Sequence, residues 1–339
     1  MEPVPPPASS PPASMVAEAF DLGRPIVSLV PHRFGAISEE TWTLTTLSGE
    51  FVVMRLWAGP DPPWRHRLEQ AMELERRAWE AGTALMRPIP PRTPAFGFAA
   101  RVHGYGLFRV YERPRHRVLA RSDEIAEWLG TTLARLHRLM PLAAAPSSAP
   151  EWYSFFREQE WRQWLEAGEL RGLAWAPALR KRFPMIAEAS AWIAEAFASA
   201  AGYVVTHRAV EPRNVWMTAS GPILVDWHGS GPDSAPLEAA HAVVSVAMLD
   251  RRSPEPERVR RAVAAYVAEG GQAPPAGRAA VARYVGMRLS HVARLIRATL
   301  DVSEGNGTDS SHEEVSATQE LERLPAMIEE SIAWSELFR

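Results

Sequence analysis

The sequence predicts an α+β chain in two lobes, a small antiparallel sheet carrying one helix followed by a larger, mostly helical lobe. Three observations predict it. β-Branched and aromatic runs gather between residues 26 and 112, and helical periodicity takes over after Val118. A short apolar strand, Pro222 to Val225, then interrupts the helical part and runs into Asp226.

Thr41-Trp-Thr-Leu-Thr-Thr46 and Glu50-Phe-Val-Val-Met-Arg-Leu-Trp57, separated by Ser48-Gly49, read as a β-hairpin. Pro62-Pro63 opens a helix in which Leu68, Met72, Arg76 and Trp79 recur at helical spacing and Gly82 marks the end. Phe96–Arg101 and Tyr105–Glu112 read as two more strands. The lobes are expected to join near Val110–Pro114, giving a first lobe of residues 21–113 and a second of 114–339. Beyond the join, helices are expected over Asp123–Met140 with Ser122 as N-cap, Trp152–Glu169, Ala187–Ala201, Ala235–Leu249, Glu255–Glu269, Gly277–Leu300 and Glu313–Phe338. Pro141–Pro150 and Glu304–His312 read as loops. Residues 1–20 begin Pro/Ser-rich and are expected to form a disordered tail.

Composition excludes several classes of function. Lys and Arg number 37 against 40 Asp and Glu, a net charge of −3, so bulk charge favours neither nucleic acid nor an acidic membrane. The absence of cysteine removes thiolate metal sites and disulfides. No apolar run approaches a bilayer-spanning length, and the start lacks the basic end and apolar stretch of an export signal. The expectation is a soluble cytoplasmic protein with no nucleic-acid or membrane partner. Lys181 is the only lysine, so arginine carries every other strong positive charge.

The segment with chemistry is Thr206–Pro232, THRAVEPRNVWMTASGPILVDWHGSGP. His207 and Asn214 stand seven apart, and Asp226-Trp227 follows the apolar strand. Asn214 offers a neutral oxygen and Asp226 an anionic one, both hard donors suited to Mg²⁺. His207 reads as a structural residue that hydrogen-bonds the loop backbone. Upstream, Arg55 at a strand end is placed to reach phosphates, with Glu75 on the next helix to hold it. The loop Gly35–Glu40 is suited to cover phosphates with backbone N–H groups, but one glycine makes it neither a Walker A motif nor a dinucleotide fingerprint. An adenine base would find backbone partners at Val110, Tyr111 and Glu112. Glu158, Glu160, Trp161, Trp164, His228 and Asp233 are candidates for an acceptor site, against a plain reading of a solvated helix face over packed tryptophans. Arg251, Arg252, Arg258, Arg260 and Arg261, diluted by Glu255 and Glu257, read as a solvated face.

The chain resembles the aminoglycoside phosphotransferase and choline kinase group of protein-kinase-like folds. That group's loop has the form H-x-D-x-x-x-x-N, then an apolar strand and I/V-D-W. Here the loop is His207-Arg-Ala209-Val-Glu-Pro-Arg-Asn214, followed by Leu224-Val-Asp226-Trp227. Leu129-Gly130-Thr-Thr-Leu133-Ala134-Arg-Leu136-His137 is similar to its L-G-x-x-L-A-x-L-H helix, and Phe51-Val-Val-Met-Arg55-Leu56 to its nucleotide-facing strand. The resemblance implies a bilobal kinase-like fold, ATP and Mg²⁺ as cofactors, and phosphate transfer to a hydroxyl of a small molecule. It assigns the metal to Asn214 and Asp226, the phosphates to Arg55 and Glu75, and adenine to the segment near Val110.

One position departs from the pattern. Ala209 stands where the group has the Asp that orients and deprotonates the acceptor hydroxyl. A positioned base is worth about 10² to 10⁴ in rate, and a methyl group replaces none of it. Glu211 is the nearest carboxylate in the chain but is displaced by two residues. Transfer is therefore expected to be impaired, and the alternative is a non-catalytic binder of nucleotide or ligand that serves a protein partner. The sequence leaves open whether Ala209 is natural or a replacement of Asp.

Overall fold

A computed structural model describes residues 10–31, 40–56, 62–142, 156–249, 253–301 and 311–339. In chain order the elements are α1 (Ala13–Ala19), β1 (Ile26–Pro31), β2 (Thr41–Thr46), β3 (Gly49–Leu56), α2 (Pro62–Glu80), β4 (Ala100–Val102), β5 (Gly106–Glu112) and β6 (His116–Val118). Then come α3 (Ala126–His137), α4 (Glu158–Leu170), α5 (Ala176–Ala198), β7 (Tyr203–Thr206), β8 (Val215–Thr218), β9 (Gly221–Leu224) and β10 (Gly231–Ser234). Helices α6 (Ala235–Ala247), α7 (Pro256–Ala268), α8 (Ala282–Asp301) and α9 (Ser311–Trp334) complete the chain. The expected loop Gly35–Glu40, apart from Glu40, lies outside the described residues, as do Arg251, Arg252 and most of both expected polar loops.

Two compact units form. The first takes Met1–Trp128, Thr132–Pro141 and Val204–Gly231, the second Leu129–Thr131, Leu142–Tyr203 and Pro232–Arg339. The first holds a five-stranded antiparallel sheet in the order β1-β2-β3-β5-β4 and a three-stranded sheet β6-β8-β9. The hairpin β2–β3 forms where expected, with Thr46 opposite Gly49. The expected strand Phe96–Arg101 shortens to β4.

The sequence division at 113/114 is corrected by the segment Val204–Gly231, which belongs with the first sheet. The reason is apolar burial. Val52, Met54, Met86 and Tyr111 share one buried cluster with Trp216, Ile223 and Val225. The backbone adds to it, since Leu224 N–H donates to Ala84 O at 2.9 Å.

Three local expectations are also corrected. The tail does not reach residue 20, because α1 buries Val16 and Ala17, and Phe20 after it, against Trp42, Leu44, Phe51, Val53, Phe108 and Val110. Val16 and Phe20 lie four apart, one helical face, and that pattern outweighs the Pro/Ser-rich composition before it. Helix α3 begins at Ala126 with no side-chain cap. Asp123 instead accepts Ala120 N–H at 2.8 Å and pairs with Arg117, so its carboxylate closes the preceding turn. On α2 the buried stripe runs through Leu68, Ala71, Met72, Leu74, Glu75 and Ala78, while Trp79 is 37% exposed and Arg76 lies outside the stripe. Gly82, at φ +75, still ends that turn as expected.

The second unit is built around Trp161, Trp175, Ile186, Ile193, Leu289, Ile296 and Leu321. Its buried indoles are satisfied: Trp161 Nε1 donates to Ser190 Oγ at 3.1 Å and Trp175 Nε1 to Thr299 Oγ1 at 2.9 Å. Among the described residues no helix is long and apolar enough to cross a membrane.

Candidate nucleotide and metal site

The β8–β9 hairpin sets the two oxygen donors. Val215 pairs with Leu224, and Val225 N–H donates to Asn214 O at 3.0 Å. Asn214, just before β8, and Asp226, just after Val225, therefore stand at the same end of one hairpin. A short 3-10 turn, Pro212–Asn214, delivers Asn214, and Pro at its first position suits that turn. Asp226 takes the left-handed conformation at φ +72, rare outside Gly, Asn and Asp, which turns the chain out of the strand into Trp227–Gly229.

His207 holds this arrangement together. It is fully buried. Ala209 N–H donates to its Nδ1 at 3.3 Å, so the ring proton resides on Nε2, which donates to Val225 O at 3.1 Å. The ring stands edge-on to Trp227 at 4.8 Å. His207 thus ties the loop to the strand end by both ring nitrogens.

Ala209 is bonded through its backbone. Its carbonyl accepts Asn214 Nδ2 at 2.9 Å and Glu211 N–H at 2.9 Å. The bond to Nδ2 leaves Asn214 Oδ1 without a protein hydrogen bond among the described residues. The Glu211 carboxylate is paired with Arg213 at 2.9 Å.

Asp226 is buried, which pushes its carboxyl up, but a short hydrogen bond from His228 and the positive charge around it, Arg109 included, win and hold it below the usual carboxylate range. The ion pair engages Oδ1 and leaves Oδ2 for another partner. One ionised carboxylate and one amide oxygen fit Mg²⁺, which takes a single protein carboxylate or two and completes its shell with phosphates and water. Among the described residues no group of three or more His, Asp or Glu is set to hold a metal.

The structure separates Arg55 from Glu75. Arg55 is opposite Phe108 on β5, on the sheet face that α1 covers. Its guanidinium lies 5.5 Å from the Trp42 ring centroid and 5.3 Å from that of Phe108, and it pairs with Glu40 at 3.0 Å. The opposite face carries Met54 paired with Arg109, and it is Arg109 that meets Glu75, at 3.0 Å. Tyr111 Oη donates to the other Glu75 oxygen at 2.5 Å. Arg109 and Glu75 are 1% and 0% exposed. Burial pushes the Glu75 carboxyl up, and the Arg109 charge only partly offsets it. For Arg109, burial opposes the charge, but Tyr111, Glu75 and Asp226 together hold the guanidinium protonated. Sequence reasoning missed Arg109, although a charged residue inside the apolar strand Gly106–Glu112 is the signal that would have found it.

The expected adenine-facing backbone is largely spoken for. Val110 O accepts Ile89 N–H at 2.8 Å, and Glu112 N–H donates to Arg87 O at 3.0 Å. The Val110 side chain faces α1, Tyr111 serves Glu75, and Glu112 pairs with Arg87. Of the residues considered for an acceptor, Glu158 pairs with Arg162, Glu160 accepts Arg157 N–H, and Trp161 with Trp164 belongs to the core of the second unit. Asp233 is buried against Arg283 at 3.0 Å. Arg260 pairs with Glu257 on an exposed face, whereas Arg258, paired with Glu255, is only 13% exposed and departs from the expected solvated face.

No curated protein sequence matches the chain. An aminoglycoside phosphotransferase from Alicyclobacillus acidocaldarius superposes at TM-score 0.64 and 16% identity, over 97% of this chain and 96% of that one. Spectinomycin phosphotransferase superposes at 0.59 and 11% identity, over 90% and 94%. The choline kinase LicA from Streptococcus pneumoniae does so at 0.55 and 10% identity, over 93% and 98%. These likenesses establish the fold as the bilobal, protein-kinase-like α+β fold. The profile of the phosphotransferase enzyme family matches residues 29–281, from the first strand through the donor hairpin to the edge of α8. On that match the chain belongs to the phosphotransferase enzyme family.

Proposed function

We propose that this chain binds ATP with Mg²⁺ on Asn214 and Asp226, and that it descends from enzymes transferring the γ-phosphate to a hydroxyl of a small molecule. The observation that carries the reading is the hairpin end, where an amide oxygen and an ionised carboxylate, both free of protein partners at one atom, stand beside the loop of Ala209. Bound there, the cation would neutralise phosphate charge. The chain's own residues supply the frame: His207 fixes the loop, and Asn214 bonds the Ala209 carbonyl. Support for a nucleotide comes from proteins of the same fold. Spectinomycin phosphotransferase was solved with ADP and spectinomycin, and an amicoumacin kinase, at TM-score 0.52 and 13% identity, with AMP-PNP and Ca²⁺.

The acceptor's proton has no side chain to receive it at position 209, so transfer by this chain is very slow. The experiment compares ATP turnover, with aminoglycosides and amino alcohols as acceptors, for this chain and for Ala209→Asp. A gain of about 10² or more, the low end for a general base, supports a disabled phosphotransferase. A second reading, a nucleotide binder serving a protein partner, is favoured by the intact backbone bonding around Ala209. Intact Mg-ATP binding with no turnover in either protein supports that reading. Absence of ATP binding at millimolar magnesium overturns both. Product mass distinguishes phosphoryl from nucleotidyl transfer.

A further inference from the structure

We propose that Arg109 on β5, and not Arg55 on β3, is the cation that meets the polyphosphate. The inference rests on the nucleotide site read above and deepens it. Four observations carry it. First, cross-strand pairing places Arg109 and Arg55 on opposite faces of the sheet, since Arg109 is opposite Met54 and Arg55 is opposite Phe108. Second, the face of Arg109 is the one whose buried cluster includes the donor hairpin, through Tyr111, Trp216, Ile223 and Val225. Third, Arg109 is held in place as a phosphate-binding group requires, with Nη1 donating to Glu75 at 3.0 Å and to Met72 Sδ at 3.7 Å while Tyr111 braces the other carboxylate oxygen. Fourth, the fork is not spent: Nε is buried with no hydrogen-bond partner, and no protein bond to Nη2 exists among the described residues.

Energetics point the same way. A buried Arg–Glu pair is a poor stabiliser, because apolar residues of similar volume commonly do as well or better. A guanidinium with unspent donors is costly to bury, and the cost is repaid when an anion takes them. Arg55 lies on the other sheet face, where the Glu40 carboxylate and two aromatic rings meet it.

The test is a phosphate ladder. Affinities for adenosine, AMP, ADP and ATP are measured by calorimetry at fixed magnesium for the unaltered chain, Arg109→Lys, Arg55→Met and the double variant Arg109→Leu/Glu75→Leu. The double variant removes both buried charges together, so it avoids stranding a carboxylate. The expected result is a loss of about tenfold or more in ATP affinity for either Arg109 variant, about 1.4 kcal/mol, with adenosine affinity unchanged. Arg55→Met is expected to shift ATP affinity by less than about threefold, under 1 kcal/mol. Equal losses for adenosine and ATP, or a larger loss at Arg55 than at Arg109, overturn the assignment. The unaltered chain supplies a second readout that no folding defect can cloud. The Arg109 Nε–H resonance should move on adding Mg-ADP and stay still on adding adenosine, and a resonance unmoved by bound ADP likewise overturns it. If the unaltered chain binds no nucleotide, the site reading itself fails, an outcome distinct from nucleotide binding that is indifferent to Arg109.

Discussion

The His207 imidazole donates to the Val225 carbonyl across 3.1 Å, and this bond joins the loop of Ala209 to the strand end that presents Asp226. Because Ala209 N–H occupies the other ring nitrogen, the bond works only with the ring neutral and its proton on Nε2.

Replacing His207 by Ala strands a buried carbonyl and a loop N–H and opens a cavity. The expected cost is about 2–4 kcal/mol, read as a lowered urea midpoint with an unchanged slope. Mg-ATP affinity should fall with it, since both oxygen donors depend on the joint. Affinity held at the original level in a destabilised protein would separate the two roles.

Tyr111→Phe deletes one hydroxyl from a buried carboxylate and alters little else. The Glu75 oxygen it served is left unsatisfied, at a cost of about 1–3 kcal/mol. Thermal unfolding would show it. A change within error would mean that Tyr111 Oη does not serve Glu75 in solution.

Gly130→Ala tests packing within the second unit. In an open helix this exchange gains about 1 kcal/mol. Here a Cβ would lie 2.2 Å from Ala262 O and 2.7 Å from Tyr266 N, both backbone atoms that cannot swing aside. The clash should outweigh propensity and give a net loss of about 1–3 kcal/mol, measured by denaturant titration. A stabilised variant would contradict the close approach.

The surface of α2 offers a pH test. Hydrogen bonds from Arg76, and then from Arg77, outweigh partial burial and hold the Glu73 carboxyl down at about 2 from an ordinary 4.5. A lowered carboxylate pKa contributes stability that is present above the unfolded value and lost as pH falls through the folded one. Glu73→Gln should therefore cost under about 1 kcal/mol near neutrality, because the group is partly exposed. The gap between the two proteins should close between pH 4.5 and about 2. Parallel melting curves at neutral and acid pH would rule out the ion pair as a contributor.

The loop was legible because its residue types are few and their spacing is rigid, and His207, Asn214 and Asp226 stand at one end of the β8–β9 hairpin. The lobes were legible from composition and period, β-branched and aromatic runs in β2 and β3 and a period near 3.6 in α3. What escaped was the facing of β3. Val52, Val53 and Met54 are all buried, so polarity does not alternate along the strand and nothing in the sequence says which face Arg55 joins. A one-residue change in facing exchanges the partners of every side chain, and here it moved the partner of Glu75 from β3 to β5. The facing of α2 was misjudged for a related reason. Glu75 is charged yet lies on the buried stripe, and Trp79 is apolar yet partly exposed.

One consequence follows from how position 209 is bonded. Its amide and carbonyl carry the loop's geometry, and its methyl group carries none of it. A carboxylate introduced there would inherit a ready-made setting. The backbone frame of the loop is thus independent of which side chain stands at 209.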